Sequence, residues 1–145
     1  MYFVDRDELE EKLVYINQLS HEVEHAEGFA LERICHMLIE AVVDVGNMVI
    51  DGFVMRDPGS YQDVIDILEM EKVISPESKI AISNTLPSRQ SFVRTYTAID
   101  HAAVKRLFMD NIKAYQQFKE DVDTFIANEL GPVSAFGKGR KNEKI

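Results

Sequence analysis

The chain has 145 residues, which is enough to bury a hydrophobic core within one domain. Its formal net charge of −9 makes broad binding to a phosphate backbone unfavourable, so we expect no DNA binding and only local contacts with RNA. The single cysteine, Cys35, excludes an internal disulfide and favours a reducing compartment. No leader peptide is predicted, because MYFVDRDELEEK has no basic start followed by an apolar run. No membrane span is predicted, because no stretch approaches ~20 consecutive apolar residues. A cytoplasmic protein without membrane association is therefore expected.

Hydrophobic spacing and turn residues predict helices throughout and no strands. Asp5 predicts the start of a first helix that runs to about His25, and Gly28 separates it from a second helix over residues 29–51. Ser60 and Ser75 are predicted caps of a third and a fourth helix. The sequence thus predicts an all-α, up-and-down bundle of four or five helices.

Residues 87–136 complete the predicted domain. Pro87 should kink or restart the fourth helix, and Asp100 should cap a last helix with one continuous apolar stripe. Residues 137–145 carry four basic residues and one acidic residue, which is typical of a solvated tail. We therefore predict a single helical domain over residues 1–136 and a flexible basic tail over residues 137–145.

The second helix is apolar over most of its circumference, which predicts that it is covered on more than one side. It is either the central helix of the bundle or a helix that also faces another subunit. Glu40 and Asp44 interrupt its apolar surface one turn apart, and they mark a polar seam or pair with an arginine. His36 on the same helix is interpreted as a hydrogen-bonded core histidine, and Cys35 as a buried structural cysteine.

Residues 21–28, HEVEHAEG, match the H-E-x-x-H signature of zinc metalloproteases. His21 and His25 lie one turn apart and could share a metal, with Glu22 as a general base. The longer form of the motif needs a third ligand at the position of Leu31, which cannot bind zinc. We therefore interpret this segment as a solvated helix end and expect no metal and no other cofactor.

A basic and aromatic cluster, RQSFVRTY, follows Pro87. In one straight helix Arg89 and Tyr96 would share a face, whereas Arg94 would point about 140° away from Arg89. The two guanidinium groups can converge only if the chain leaves the helix here or if a second copy of the protein contributes one of them. The cluster therefore suggests a composite basic patch at a dimer interface.

The chain resembles the YutE-like branch of the HepT-like toxins, within the HEPN superfamily, from MYFVDR at its start to ELGPVSAF at residues 129–136. The most specific stretch is GFVMRDPGSYQDVIDIL, residues 52–68. This resemblance implies a homodimeric helical bundle and a metal-independent ribonuclease with an Arg-x4-His-x-Tyr motif at the dimer cleft. It also implies pairing with an MntA-like nucleotidyltransferase antitoxin that AMPylates the motif tyrosine, as in type VII toxin–antitoxin systems.

Carried onto this sequence, the motif implies a catalytic role for Arg89 and makes Tyr96 the candidate for AMPylation, but Arg94 occupies the histidine position. Arginine can hold phosphate, yet it cannot exchange a proton at neutral pH. His101 fits a looser superfamily spacing, counted from Arg94, and is a candidate replacement. Two hypotheses remain open: a HepT-like endoribonuclease with a degenerate motif, and a catalytically inactive dimeric module that binds RNA, a nucleotide or a nucleotidyltransferase partner.

Overall fold

A computed structural model describes residues 4–130, and within this range the chain is helical, with no strand. Seven α-helices form there: α1 Arg6–Glu22, α2 Gly28–Gly52, α3 Tyr61–Met70, α4 Pro76–Thr85, α5 Ser88–Val93, α6 His101–Asp110 and α7 Ile112–Leu130. Two single turns of 3-10 helix, Val23–His25 and Tyr96–Ala98, join α1 to α2 and α5 to α6. The predicted all-α fold is confirmed.

The predicted helix starts are confirmed by hydrogen bonds from side chain to backbone. The side chains of Asp5, Ser60, Ser75 and Asp100 each accept a hydrogen bond from the backbone N–H three residues further on. Each bond satisfies a donor that the first helical turn leaves unpaired. Short polar residues at these positions therefore fix where α1, α3, α4 and α6 begin.

The last predicted helix is wrong in one respect, because the chain forms two helices, α6 and α7, that break at Asn111. The side-chain amide of Asn111 donates to the carbonyl of Leu107 at 2.8 Å, and its oxygen accepts from the side chain of Asn84 at 3.2 Å. These bonds hold Asn111 outside the helical hydrogen-bond pattern. The apolar stripe continues across the break, so the sequence pattern alone did not reveal it.

Helix α2 is the central element of the described fold, since α1, α3, α5 and α6 all pack against it. Twelve of its residues are buried, including Leu38, Val42, Val45 and Val49. Helix α3 approaches α2 most closely at Gly46, where an added Cβ would lie 2.5 Å from a methyl group of Val64. The prediction that α2 is the central helix of the bundle is confirmed within the single chain that the structure describes.

Helix α7 packs against α1 and α4, and to a lesser extent against α6. The buried hydroxyls of Thr85 and Tyr115 lie 2.6 Å apart and connect α4 to α7. No helix among the described residues is long and apolar enough to cross a membrane. The predicted domain end at residue 136 and the predicted basic tail over residues 137–145 lie outside the described residues.

Candidate active site

Helix α2 carries a row of polar side chains at four-residue spacing: Glu32, His36, Glu40 and Asp44. Because four residues make slightly more than one turn, these side chains line one face of an otherwise apolar helix. Glu32, His36 and Glu40 are only partly exposed, because α5 and α6 cover this face. We call Glu32, His36 and Glu40 the α2 polar row, and leave out Asp44, which is exposed.

The carboxylate of Glu40 is the centre of a hydrogen-bonded cluster formed by three helices. Its Oε2 accepts a hydrogen bond from Nε of Arg89 on α5 at 2.7 Å, and Nε2 of His36 lies 3.1 Å from the same oxygen. Its Oε1 accepts from the hydroxyl of Tyr61 on α3 at 2.6 Å. One neighbour on α2 and two groups from distant parts of the sequence therefore meet at one carboxylate, and we call these four residues the Glu40 cluster.

Aromatic rings pack against Arg89 and His36, the two nitrogen-bearing side chains of the Glu40 cluster. The guanidinium carbon of Arg89 lies 4.7 Å from the centre of the Tyr61 ring, within the range of a cation–π contact. The ring of Phe92, three residues after Arg89, stacks on His36 with centroids 5.5 Å apart. Residues three apart share one helical face, so the short helix α5 presents both side chains to α2.

Electrostatic interactions keep the cluster charged. Partial burial raises the pKa of Glu40, but the hydrogen bonds from Tyr61 and Arg89 outweigh it, so that the pKa lies below its ordinary value. The hydrogen bond to Glu40 raises the pKa of Arg89. Burial, together with the bond to Glu40, raises the pKa of Tyr61. At neutral pH the cluster therefore contains a carboxylate, a guanidinium cation and a neutral phenol.

The structure places the other motif residues outside this cluster. Arg94 lies at the C-terminal cap of α5 and is exposed, and Tyr96 begins the following 3-10 turn with 64% of its surface exposed. The chain does leave the helix after Val93, as a convergence of Arg89 and Arg94 would require. Within one protomer, however, Arg89 faces α2 while Arg94 and Tyr96 face solvent.

His101, the other candidate proton-transfer residue, belongs to a separate hydrogen-bonded pair. Its Nε2 lies 2.5 Å from Oε2 of Glu32, at the N-terminal end of the α2 polar row. Glu32 precedes Glu40 by eight residues, which is about 12 Å along the helix axis. His101 is therefore remote from Arg89 along α2, and the structure does not bring the two into one cluster.

A family model matches most of the described helical bundle. The model for ribonuclease HepT-like proteins matches residues 7–122, which span α1 through most of α7. The chain belongs to the HepT-like ribonuclease family. Its Glu40 cluster and its RQSFVRTY segment both lie within the matched part of the HepT-like chain.

Two further comparisons agree with this HepT-like assignment. The chain is 40% identical over 144 residues to "Putative RNase YutE" of Bacillus subtilis (strain 168), covering 94% of this chain and 99% of that protein. A solved structure of YutE from Bacillus subtilis, described as a cytosolic protein of unknown function, has a TM-score of 0.86 and 38% identity. That match covers 94% of this chain and all of the solved chain.

The H-E-x-x-H segment spans two helical elements of this HepT-like fold. Helix α1 ends at Glu22, so His21 and His25 lie on different elements, and Nδ1 of His21 is hydrogen-bonded to the carbonyl of Asn17. Within residues 4–130, no three His, Cys, Asp or Glu side chains are grouped closely enough to hold a metal ion. The position that would supply a third ligand, Leu31, is buried in the core.

A groove of about 750 Å³ lies away from the Glu40 cluster, between the ends of α3 and α7. Five acidic residues line it, against one lysine: Glu69, Glu71, Glu120, Asp121 and Glu129. This charge makes the groove unfavourable for RNA. The electrostatic requirements of a nucleic acid site are better met at α5, where Arg89 and Arg94 lie.

Sequence reasoning identified Arg89 but missed two of the groups that surround it. The proposed pairing of Glu40 with an arginine is confirmed, whereas Asp44 pairs with Lys12 at 3.5 Å. The hydrogen bond predicted for His36 is present, with Glu40 as its partner, but the side chain is half-buried and does not lie in the core. No role was predicted for Tyr61 from the sequence. The signal available in the sequence was the four-residue spacing of polar residues on an apolar helix.

Proposed function

We propose that this HepT-like protein is a metal-independent endoribonuclease and the toxin component of a type VII toxin–antitoxin pair. The observation that carries the proposal is the placement of Arg89, the motif arginine, in the Glu40 cluster. Glu40 engages Nε of Arg89, while the side chain remains 42% exposed and able to meet a phosphate group. An oriented, permanently charged guanidinium is suited to stabilise charge that develops on a phosphate.

Arg94 and Tyr96 have complementary roles in this proposal. Exposed Arg94 would bind an adjacent phosphate of the RNA, since a solvent-facing guanidinium can form bidentate hydrogen bonds with a phosphate group. The exposed ring of Tyr96 would present its hydroxyl to an MntA-like nucleotidyltransferase antitoxin. Attachment of AMP at Tyr96 would add negative charge beside the arginines and weaken RNA binding.

The proposal includes a cytoplasmic homodimer built from one domain per chain, residues 1–136. Both Arg94 and Tyr96 follow a helix end that faces solvent, where a two-fold partner could bring in a second copy of the segment. The relation to YutE, described as cytosolic, supports the proposed compartment. The basic tail over residues 137–145 would remain outside the domain.

An RNA cleavage assay tests this function. Purified wild type should cleave a single-stranded RNA in the presence of EDTA, and Arg89→Ala should reduce cleavage by about 100-fold or more because a transition-state phosphate contact is lost. Arg33→Ala, which changes an exposed arginine on α2, is the control with the same loss of charge. Wild type that cleaves no faster than background would refute the ribonuclease proposal.

The alternative is a dimeric binding module without catalytic activity, and the residue at the histidine position of the motif favours it. Arg94 stands where the family motif has its proton-transfer histidine, and a guanidinium cannot accept a proton at neutral pH. Binding of labelled RNA that weakens in Arg89→Ala and Arg94→Ala, without cleavage by wild type, would support this module. Binding of AMP or of a nucleotidyltransferase in place of RNA would identify its ligand.

A further inference from the structure

The proposed reaction requires a group that removes a proton from a ribose hydroxyl, and the motif position does not supply one. Losing such a group typically costs about 100- to 10,000-fold in rate. The chain has four histidines. His21, near the end of α1, and His25, in the 3-10 turn that follows, are exposed. His101 is paired with Glu32, and His36 lies in the Glu40 cluster. Only His36 shares a hydrogen-bonding partner with Arg89.

The geometry brings His36 close to the motif arginine. Nε2 of His36 and Nε of Arg89 contact the same oxygen of Glu40, at 3.1 Å and 2.7 Å. These two nitrogen atoms therefore cannot be further apart than the two distances added together. Stacking on Phe92 fixes the plane of the imidazole, and Phe92 and Arg89 belong to the same short helix. The imidazole and the guanidinium group are therefore neighbours at one carboxylate oxygen.

The carboxylate of Glu40 also determines which ring nitrogen can accept a proton. A carboxylate accepts hydrogen bonds, so Nε2 of His36 carries the hydrogen and donates it to Glu40. The lone pair is then on Nδ1, which has no hydrogen-bonding partner within the described part of the chain. A carboxylate that orients an imidazole through one nitrogen, leaving the other to transfer protons, is the arrangement found in hydrolytic triads.

We propose that His36 of α2, oriented by Glu40 and Phe92, is the proton-transfer residue of this protein and replaces the histidine absent from the motif at Arg94. The inference depends on the proposed ribonuclease function, which it extends. The imidazole contacts Glu40 on its own helix, and the same carboxylate binds Arg89 from α5 and Tyr61 from α3. His101 is then a structural residue that pairs α6 with Glu32.

The step balances with the groups present and water. The ribose 2′-oxygen forms a bond to phosphorus and gives its proton to Nδ1 of His36, while the bond from phosphorus to the 5′-oxygen breaks. That oxygen leaves with the electron pair and takes a proton from water, and the imidazolium returns its proton to the resulting hydroxide. The products are a 2′,3′-cyclic phosphate and a 5′-hydroxyl, with no metal or redox partner required.

The test compares wild type, His36→Gln, His101→Gln and Arg89→Ala on a labelled single-stranded RNA across about pH 5 to 8, the range in which imidazoles titrate. Glutamine preserves a donor toward Glu40 but cannot act as a base. We expect His36→Gln to lower kcat by about 100-fold or more with a smaller change in KM, and to remove the rise in rate with pH. His21→Gln, at an exposed position on α1, is the histidine control and should cleave like wild type.

Imidazole rescue separates a chemical role from a structural one. Free imidazole added to His36→Ala should restore part of the lost rate, because it can occupy the space beside Phe92 and accept the proton, and it should not restore Arg89→Ala. Loss of the rate and of the pH dependence in His101→Gln, with His36→Gln active, would overturn the inference and favour His101. Cleavage by His36→Gln within about tenfold of wild type would also overturn it while leaving the ribonuclease function intact. An inactive wild type would overturn both.

Discussion

Glu40 shows how one partly buried side chain can organise a site whose other members come from three helices. Its two oxygens contact Arg89, His36 and Tyr61. Removing the carboxylate would leave Arg89 without its short ion pair and His36 without the group that orients it. The cost would therefore appear in stability as well as in any activity, and it should depend on pH.

The pH dependence of the Glu40 contribution has a definite sign. The pKa of Glu40 in the folded protein lies below its ordinary value of 4.5, so its stabilising effect is complete above 4.5 and is lost as the pH falls through the folded value. Glu40→Gln should therefore reduce the free energy of unfolding more at about pH 6 than at about pH 3. Urea denaturation at both pH values measures this difference.

Asp44→Asn is the matched control for Glu40→Gln, because it removes a carboxylate one turn further along α2. Asp44 is 60% exposed and contacts only Lys12 at 3.5 Å, and exposed ion pairs contribute little to stability. We expect its effect to be small at both pH values. An equal loss of stability for Glu40→Gln at about pH 6 and about pH 3 would contradict the assigned role of the Glu40 charge.

The ends of α2 and α3 show the same turn with different residues. Val54 and Lys72 each follow the helix cap with positive φ, 56° and 65°, and each turn carries the pair of backbone hydrogen bonds of a Schellman motif. The N–H of Met55 donates to the carbonyl of Ile50, and the N–H of Val73 donates to that of Leu68. Valine is β-branched and therefore poorly suited to this conformation.

Replacing Val54 by glycine should stabilise the protein. Glycine adopts positive φ without steric cost, and Val54 is 70% exposed, so little packing is lost. Relief of backbone strain should exceed the added entropy of the unfolded chain and give a net gain of about 0.5–1 kcal/mol. The midpoint of urea denaturation measures it.

Lys72→Gly is the comparison for Val54→Gly at the equivalent position of α3. Lysine is not branched at Cβ, so we expect a smaller gain there than at Val54. A Val54→Gly protein that is no more stable than wild type would show that the turn after α2 does not strain the chain. The two variants together separate the branched side chain from the backbone geometry.

At the scale of the whole molecule, the overall charge is acidic, but one exposed segment is basic and apolar. The chain is acidic overall, yet the segment after α5 presents Arg94 beside the exposed side chains of Val93 and Tyr96. Phe29, at the start of α2, is 85% exposed. Large apolar side chains in solvent are common at protein interfaces.

We predict that the protein is a homodimer in solution. Light scattering at micromolar concentration should give twice the mass of one chain, and a monomer there would contradict the prediction. Phe29→Ser, which removes an exposed apolar ring, tests whether α2 contributes to the interface. Val14→Ser, at another exposed apolar position on α1, is the control for loss of apolar surface.

A dimer also allows a test of where the site is assembled. Arg89 and His36 meet within one protomer, so a heterodimer of an Arg89→Ala chain and a His36→Gln chain would contain no complete pair. Refolding the two variants together should therefore restore no cleavage. Recovery of about a quarter of the wild-type rate would instead show that the pair forms across the two-fold axis.

The sequence by itself determined the all-helical class, most helix starts and the position of the motif arginine, although it predicted four or five helices where the described residues form seven. These features depend on local chemistry: a capping side chain, a proline at the first helical position, and apolar residues at helical spacing act within one or two turns. The break at Asn111 was missed because it rests on a hydrogen bond from Asn84, which belongs to another helix.

Only the tertiary structure decided which polar residues form the site. His36, Glu40, Tyr61 and Arg89 are spread over 54 positions of sequence and meet because α3 and α5 both pack against α2. Local patterns cannot encode such a meeting, since it depends on how α3 and α5 are placed against the central helix. The sequence therefore identified an arginine that lacked its motif histidine, and the packing of α5 on α2 placed a different histidine beside it.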